Sequence, residues 1–437
     1  MNSGISVALY FSPMLLILIW YLRRKGDQHQ QSVAVLQESL EAGLMEPASL
    51  HPVIDPNLCI GCGSCIAACP EMPAHKVIGM VRRKAELVSP TDCIGHGACG
   101  TACPVDAITL VFGTETRGVD IPNIKPNFET NVPGIFIAGE LGGMGLIRNA
   151  IEQGRQAMES VAKLVGSGGG DGLDVLIVGA GPAGFSASLA AKEKGLRYRT
   201  IEQESLGGTV AHFPRGKLVM TSPATLPLVG KVKFTETTKE KLLGFWQRVE
   251  EKTGVSINYK ERLEKVEPNN NGFAVTTTQG TYTARALLLT IGRRGTPRKL
   301  GVPGEELSKV AYRLIDPEQY RGQHVLVVGG GDSALEAAWS IAEVDGTTVT
   351  LSYRSAAFAR AKKKNREKVA AAEAAGRLKI IMSSNVVGIT AESVGVECNG
   401  NVERLPNQAV IINAGGILPT GFLKEIGVAV ETKFGTA

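Results

Sequence analysis

Twelve residues from position 59 read C-I-G-C-G-S-C-I-A-A-C-P, and a near copy, C-I-G-H-G-A-C-G-T-A-C-P, begins at position 93. Seven of the eight cysteines in the 437 residues fall in this stretch, so they do not form a disulfide framework spread through a secreted chain. Thiols packed this densely hold metal, and a fold built on them is organised around what they bind. In a run of this spacing three thiolates hold one iron–sulfur cluster while the fourth crosses to the other. Cys59, Cys62, Cys65 and Cys103 are thus expected to share one site, and Cys69, Cys93 and Cys99 the second. The remaining position of the second site is His96, which stands where the first copy has Cys62. Three readings of His96 stay open: an iron ligand, a side chain turned away from a three-iron site, or a neutral hydrogen-bonding neighbour.

Hydrophobic residues make up 43% of the chain, charged residues 20%, and there are 52 glycines, which suits two or three globular α/β cores with many tight turns. The net charge is only +5 and no basic patch is interleaved with aromatics, so no nucleic-acid role follows. Near the N-terminus, positions 5–22 are apolar, and 18 residues of helix would span roughly 27 Å. No Lys or Arg precedes this run, whereas Arg23, Arg24 and Lys25 follow it. That order differs from a secretory signal and predicts a single-pass membrane anchor with the bulk of the chain on the cytoplasmic side.

Residues 174–184, D-V-L-I-V-G-A-G-P-A-G, run an apolar strand into a G-x-G-x-x-G turn and then an alanine-rich helix. Gly179, Gly181 and Gly184 let the backbone approach a pyrophosphate at a helix N-terminus, and Glu202, at the end of the next strand, is placed to accept from a ribose hydroxyl. The pattern recurs at H-V-L-V-V-G-G-G-D-S-A, where Gly329, Gly331, Asp332, Ser333 and Ala334 follow a strand and open a helix. Two nucleotides are implied. The strand after the second turn leads to Arg354, which favours a 2′-phosphate and hence NADP over NAD. Arg360, Lys362, Lys363, Lys364 and Arg366 follow, either as further phosphate contacts or as a solvated helix face.

Together these segments resemble the thioredoxin-reductase-like flavoproteins, in which an NADPH domain interrupts an FAD domain. The resemblance covers roughly residues 171–437. It includes L-G-G-T at 206–209, which implies flavin contacts from Gly207, Gly208 and Thr209. It also includes T-I-G at 290–292, ending in Gly292, and the return segment N-A-G-G-I-L-P-T at 413–420. In the family a segment T-x-V-P-G-I-F-x-A-G-D comes last and holds the flavin ribityl chain. Here its counterpart lies upstream, within 129–154, as N-V-P-G-I-F-I-A-G-E, which implies roles for Gly139 and Glu140 and a circularly permuted flavoprotein. The triplet F-G-T occurs at both 112–114 and 434–436, as though the two ends met.

The family's redox C-x-x-C pair is missing: 311–323 contain no cysteine, and Cys398 stands alone. The chain is therefore most similar to the members that act as ferredoxin–NADP reductases, and its cofactor set is also similar to that of the glutamate synthase small subunit. The resemblance implies FAD and NADP or NAD, and the cysteine motifs add two iron–sulfur clusters of the [4Fe-4S] type, one of them open to being His-ligated or [3Fe-4S]. It implies NAD(P)H and a ferredoxin or membrane redox protein as partners, a homodimer as in related flavoproteins, and no obligatory acid–base catalytic side chain. An electron-wiring subunit without activity of its own is the alternative, and a low-molecular-weight disulfide reductase would need a thiol the sequence lacks.

The expected architecture is an α/β two-domain flavoprotein, with FAD and NAD(P) Rossmann-like domains, joined to an α+β dicluster ferredoxin domain and one N-terminal transmembrane helix. Its boundaries are an anchor at 1–25, a helical connector at 26–50, the ferredoxin domain at 51–112 and the permuted part of the FAD domain at 113–165. A glycine-rich linker at 166–172 leads to the FAD domain at 173–302, the NAD(P) domain at 303–410 and the returning FAD-domain strand at 411–437.

Overall fold

The computed structural model describes residues 3–47, 50–72, 75–115, 118–143, 145–166, 172–215, 218–220, 223–233, 236–359 and 361–435, with side chains from residue 13 onward except at 218, 220 and 236. The chain divides into two compact units. One comprises Met1–Gly118, Ala357–Lys363 and Phe434–Ala437; the other comprises Val119–Ala356 and Lys364–Lys433.

The first unit begins with a continuous helix, α1 (Ser3–Glu41), which runs across the expected boundary between anchor and connector. Among the described residues no helix is long and apolar enough to cross a membrane. The helix α1 does not stop at the end of the apolar run but continues through Arg23, Arg24 and Lys25 into a polar stretch that ends at Glu41. The expected transmembrane helix is therefore corrected, and with it the single-pass, cytoplasm-facing placement and the membrane partner that rested on it. The polar half of α1 instead docks on a hairpin. The Oγ of Ser32 accepts from the Met80 amide at 3.1 Å and donates to the Gln28 carbonyl at 2.6 Å. Gly79 makes room for this contact, since a Cβ there would stand 2.7 Å from that of Ser32.

The cysteine-rich part is a small α+β fold. Strand β1 (His51–Ile54) precedes α2 (Ser64–Ala68); the hairpin β2 (Ile78–Val81) and β3 (Lys84–Leu87) follows, then α3 (Ala98–Thr101) and β4 (Ile108–Val111). β1 and β4 pair antiparallel, so the two copies of the cysteine motif are held between the first and last strands. The segment near residue 112 and the C-terminal end meet, as the two F-G-T triplets suggested: the Gly435 amide donates to the Phe112 carbonyl at 2.8 Å. Thr436 lies outside the described residues.

In the second unit, β5 (Val119–Pro122), β6 (Ile135–Ile137) and α4 (Ile147–Val165) come before β7 (Leu173–Val178), α5 (Pro182–Glu193) and β8 (Tyr198–Glu202). A seven-stranded sheet runs in the order Ile257–Tyr259, β8, β7, Thr281–Leu289, Gly272–Thr277, Leu263–Asn269. The nine-residue strand Thr281–Leu289 pairs with β7 on one side, and on the other it pairs first with Gly272–Thr277 and then, in parallel, with β6. All three side chains of β6 are buried, each stabilising by about 1.5–3 kcal/mol. On the sheet face α4 and α5 pack so closely that a Cβ on Gly154 would lie 2.0 Å from the Ala183 carbonyl oxygen.

A second sheet is wholly parallel, in the order Val310–Ala311, Ala409–Ile412, His324–Val328, Thr348–Ser352, Leu378–Ile381, beside a three-stranded antiparallel sheet at 384–406. The helix α6 (Lys239–Thr253) packs on the first sheet, while α7 (Asp332–Ala342) follows the strand His324–Val328. The helix α8 (Lys363–Ala374) comes after Thr348–Ser352.

Candidate redox-cofactor sites

In the first unit two cavities are ringed by cysteines. One is lined by Cys59, Cys62, Cys65 and Cys103 among apolar side chains that include Ile54, Val105 and Ile108. The other is lined by Cys69, Cys93, Cys99 and His96, with His51 and Glu71 also on its wall. The crossing read from the spacing is thus reproduced: Cys103 joins the first three cysteines, and Cys69 joins the second set. Among the described residues no three such groups close on a single metal ion. The thiols surround a volume instead, and the donors of a multi-iron cluster each meet a different iron, so the donor set fits a cluster.

Burial pushes the Cys65 and Cys93 thiols up to about 11, and it raises that of Cys99 as well. The exposed Cys62 is shifted the other way by its hydrogen bond to Ser64, with Sγ to Oγ at 3.4 Å. Backbone amides of Ala85 and Ala107 donate to the sulfurs of Cys59 and Cys103 at 3.4 and 3.3 Å, a favourable setting for sulfur carrying negative charge. The Nδ1 of His96 is buried and has no hydrogen-bond partner.

In the second unit the strand–turn–helix over β7 and α5 forms as read. Gly184 is required by close approach: a Cβ there would lie 1.8 Å from the Gly179 carbonyl oxygen. Gly181 is the N-cap of α5, and Gly208 lies against it, so the 206–209 segment with Gly207 and Thr209 borders the turn. The Gly207 amide donates to the Ala180 carbonyl at 2.9 Å. Glu202 ends β8, buried, with its carboxylate accepting from the amides of Ala180 at 2.8 Å and Glu204 at 2.9 Å; burial raises its pKa, against those two hydrogen bonds.

Gly139 and Glu140 follow β6 and reach the same place. The Gly139 amide donates to Gln153 on α4 at 2.8 Å, and a Cβ on Gly292 would be 3.8 Å from a Glu140 carboxylate oxygen. Burial raises the Glu140 pKa while Arg293 opposes that shift. Arg293, which donates to the Asp120 carbonyl at 3.0 Å, and Gln153 were not singled out from sequence. The signal for Arg293 was its place directly after T-I-G.

At the second turn Gly329 follows its strand, Gly331 is the N-cap of α7, and Asp332, Ser333 and the buried Ala334 form its first turn. The Asn365 amide donates to Asp332 at 2.8 Å, a contact that sequence reading missed because 33 residues separate the two. The ring of Tyr353 lies over Gly330. Arg354 is exposed just beyond Thr348–Ser352, and Arg360 lies outside the described residues. Lys363 is not part of this unit: it lies in the cysteine-rich one, where its ammonium meets Glu38 at 3.2 Å and its amide lies 3.5 Å from Asp92. One group of charges had no sequence signal. His212, in a short helix after Gly207, sits 2.9 Å from Glu204 and 2.6 Å from Arg313, and burial lowers its pKa to about 4.

A mixed sheet whose parallel part carries a pyrophosphate-type turn, a wholly parallel sheet carrying another, and a two-cavity cysteine module define the class: a dinucleotide-binding oxidoreductase joined to a dicluster ferredoxin module. Residues 176–435 match the model of the pyridine nucleotide-disulphide oxidoreductases, and the chain belongs to that family. Residues 51–104 match a 4Fe-4S dicluster domain. The chain is 32% identical to a ferredoxin–NADP reductase of Ignicoccus hospitalis over 42% of its own length and 57% of that protein. It is also 32% identical to a ferredoxin–NADP reductase of Thermus thermophilus, over 60% of its own length and 78% of that relative. It thus spans little more than half of the first of these relatives. A solved bacillithiol disulfide reductase from Staphylococcus aureus superposes with a TM-score of 0.52 at 27% identity, covering 58% of this chain and 79% of that one.

Proposed function

We propose that this protein is a flavin oxidoreductase that moves electrons between NAD(P)H and two iron–sulfur clusters by way of FAD, and onward to or from a ferredoxin-type protein. The observation that carries this reading is the separation of the cysteines into two ringed cavities on a chain with two dinucleotide turns. FAD, when bound, supplies the exchange between two-electron hydride transfer and one-electron steps. Each NAD(P)H gives up two electrons and one proton in becoming NAD(P)+, and two clusters, when bound, would supply one single-electron site each.

The residues do the holding. Gly179, Gly181 and Gly184 cradle the FAD pyrophosphate at the N-terminus of α5, and Glu202 accepts from its ribose. Gly207, Gly208, Thr209, Gly292, Gly139 and Glu140 border the flavin side. Gly329, Gly331, Asp332, Ser333 and Ala334 receive the NAD(P) pyrophosphate, with Arg354 at a 2′-phosphate. Cys59, Cys62, Cys65 and Cys103 hold one cluster, and Cys69, Cys93 and Cys99 hold three positions of the other.

The order of segments supports a permuted flavoprotein: β6 and α4 precede β7 in sequence yet complete its sheet and helix layer. In a permuted chain the flavin-facing segment after β6 follows directly on the cluster module. A disulfide reductase reading is not favoured, because Cys398 is the lone cysteine of its unit and its thiol donates to the Met382 carbonyl.

Anaerobic reconstitution followed by stepwise NADPH addition tests the proposal. Bleaching of flavin absorbance together with the appearance of reduced-cluster paramagnetic signals is the expected result. A reduced flavin beside clusters that stay oxidised would sink it.

A further inference from the structure

Resting on the two-cluster reading above, we propose that His96 is the fourth ligand of the cluster held by Cys69, Cys93 and Cys99, that it binds through Nδ1, and that this cluster is the first of the two to accept an electron. The backbone carries the first step. Gly61 and Gly63 have φ of 71° and 81°, and Gly95 and Gly97 have the same two values, so His96 occupies in its loop the place that Cys62 occupies in the other. Its side chain lines the second cavity beside the three cysteines.

The second step is electrostatic. His96 Nδ1 is buried without a partner, and a buried polar atom left unsatisfied is unfavourable. A neutral imidazole with its proton on Nε2 presents a lone pair at Nδ1, and iron is the acceptor for it that this donor set implies. Two other groups on that wall are weaker candidates. His51 already has an interaction of its own, and Glu71 offers a hard oxygen to a site otherwise built of sulfur.

The third step concerns potential. Replacing a thiolate by a neutral imidazole leaves the cluster and its ligands with one less negative charge, which favours the reduced form. The amides donating to Cys59 and Cys103 push the all-cysteine cluster in the same direction, but they are partial dipoles set against a whole charge. The two electrons from each NAD(P)H are then received in a set order, one at the His96 cluster and one at the other.

The test uses the full chain, reconstituted anaerobically and made with histidine isotopically labelled at the δ nitrogen alone. Pulsed paramagnetic resonance is recorded at the potential where only the first cluster is reduced. The expected result is a strong hyperfine coupling from the labelled nitrogen, abolished in His96→Gln and retained in His51→Gln. His96→Cys should bring the two reduction waves together. Absence of the coupling in the first-reduced cluster, its survival in His96→Gln, or waves unmoved in His96→Cys would overturn the assignment. Because the labelling result is read on the unmodified protein, it stands even if a variant fails to assemble. Failure of the unmodified chain to hold two clusters would overturn the underlying function as well, so the two failures are distinguishable.

Discussion

At the first dinucleotide turn β8 ends on Glu202, buried and bonded to two backbone amides, whereas at the second the corresponding strand, Thr348–Ser352, leads to Arg354 in solvent. The two turns share a strand, a glycine loop and a helix N-terminus, and they differ in how tightly each is closed. At the third motif position a Cβ on Gly184 would collide with the Gly179 carbonyl, while the second turn carries Ala334. The first turn is locked from behind by Thr290, whose hydroxyl donates to the carbonyls of Val178 and Gly179 at 2.8 and 3.0 Å. A closed turn suits a resident cofactor and a looser one suits a substrate that comes and goes.

Breaking the lock gives the largest expected effect. Gly184→Ala should purify with little or no flavin, read as flavin absorbance per chain, while Ala334→Gly should leave NADPH turnover nearly unchanged. Full flavin content in Gly184→Ala would erase the distinction between the turns. Next comes charge. A charge-assisted bond to phosphate is worth about 1.5–3 kcal/mol, so Arg354→Glu should raise the KM for NADPH by about 10–100-fold and leave that for NADH almost unmoved. Equal effects on both nucleotides would show that Arg354 does not meet a 2′-phosphate.

A smaller change is expected from Asn365→Ala, which removes one hydrogen bond from Asp332 at the start of α7. Asn365 acts on the nucleotide only through Asp332, so an effect at the low end for a hydrogen bond, about 0.5–1.5 kcal/mol, gives about a twofold to tenfold weaker nucleotide binding, without loss of flavin. A fall in flavin content instead would place Asn365 in general folding.

The smallest effect is a pH dependence beside the first turn. His212 has its pKa lowered by burial to about 4, below its unfolded value of about 6.5, so the unfolded chain takes up the proton first and stability falls as pH drops through that window. The pKa of Glu204, its neighbour, is lowered chiefly through Arg313 and His212 against the cost of burial, and its contribution is likewise lost in acid. Urea unfolding between pH 7 and 4 should lose about 1–2 kcal/mol through this pair, and His212→Asn should flatten the upper part of that slope. An unchanged slope would mean that His212 titrates normally.

Much of this was legible because the relevant signals are local. The cysteine spacing, the two glycine turns and the absence of a dithiol each occupy a dozen residues or so, and each constrains chemistry through the backbone geometry it imposes. The N-terminal apolar run misled for the same reason. Residues 5–22 look like a span by themselves, but the helix they begin continues to Glu41, and its polar half docks on β2 through Ser32. Lys363 shows the limit of reading a charge run by position alone, since it joins the cysteine-rich unit.

Sequence by itself determined the donor sets, the two dinucleotide turns and the preference for arginine at the second, because spacing and residue type decide what can reach a ligand. Only the tertiary structure decided that β6 closes the sheet of β7, that Arg293 faces Glu140, that Asn365 holds Asp332, and that His96 Nδ1 is buried without a partner. Those are facts about residues brought together across the chain or removed from water. Both depend on how the whole chain packs, and no local pattern records them.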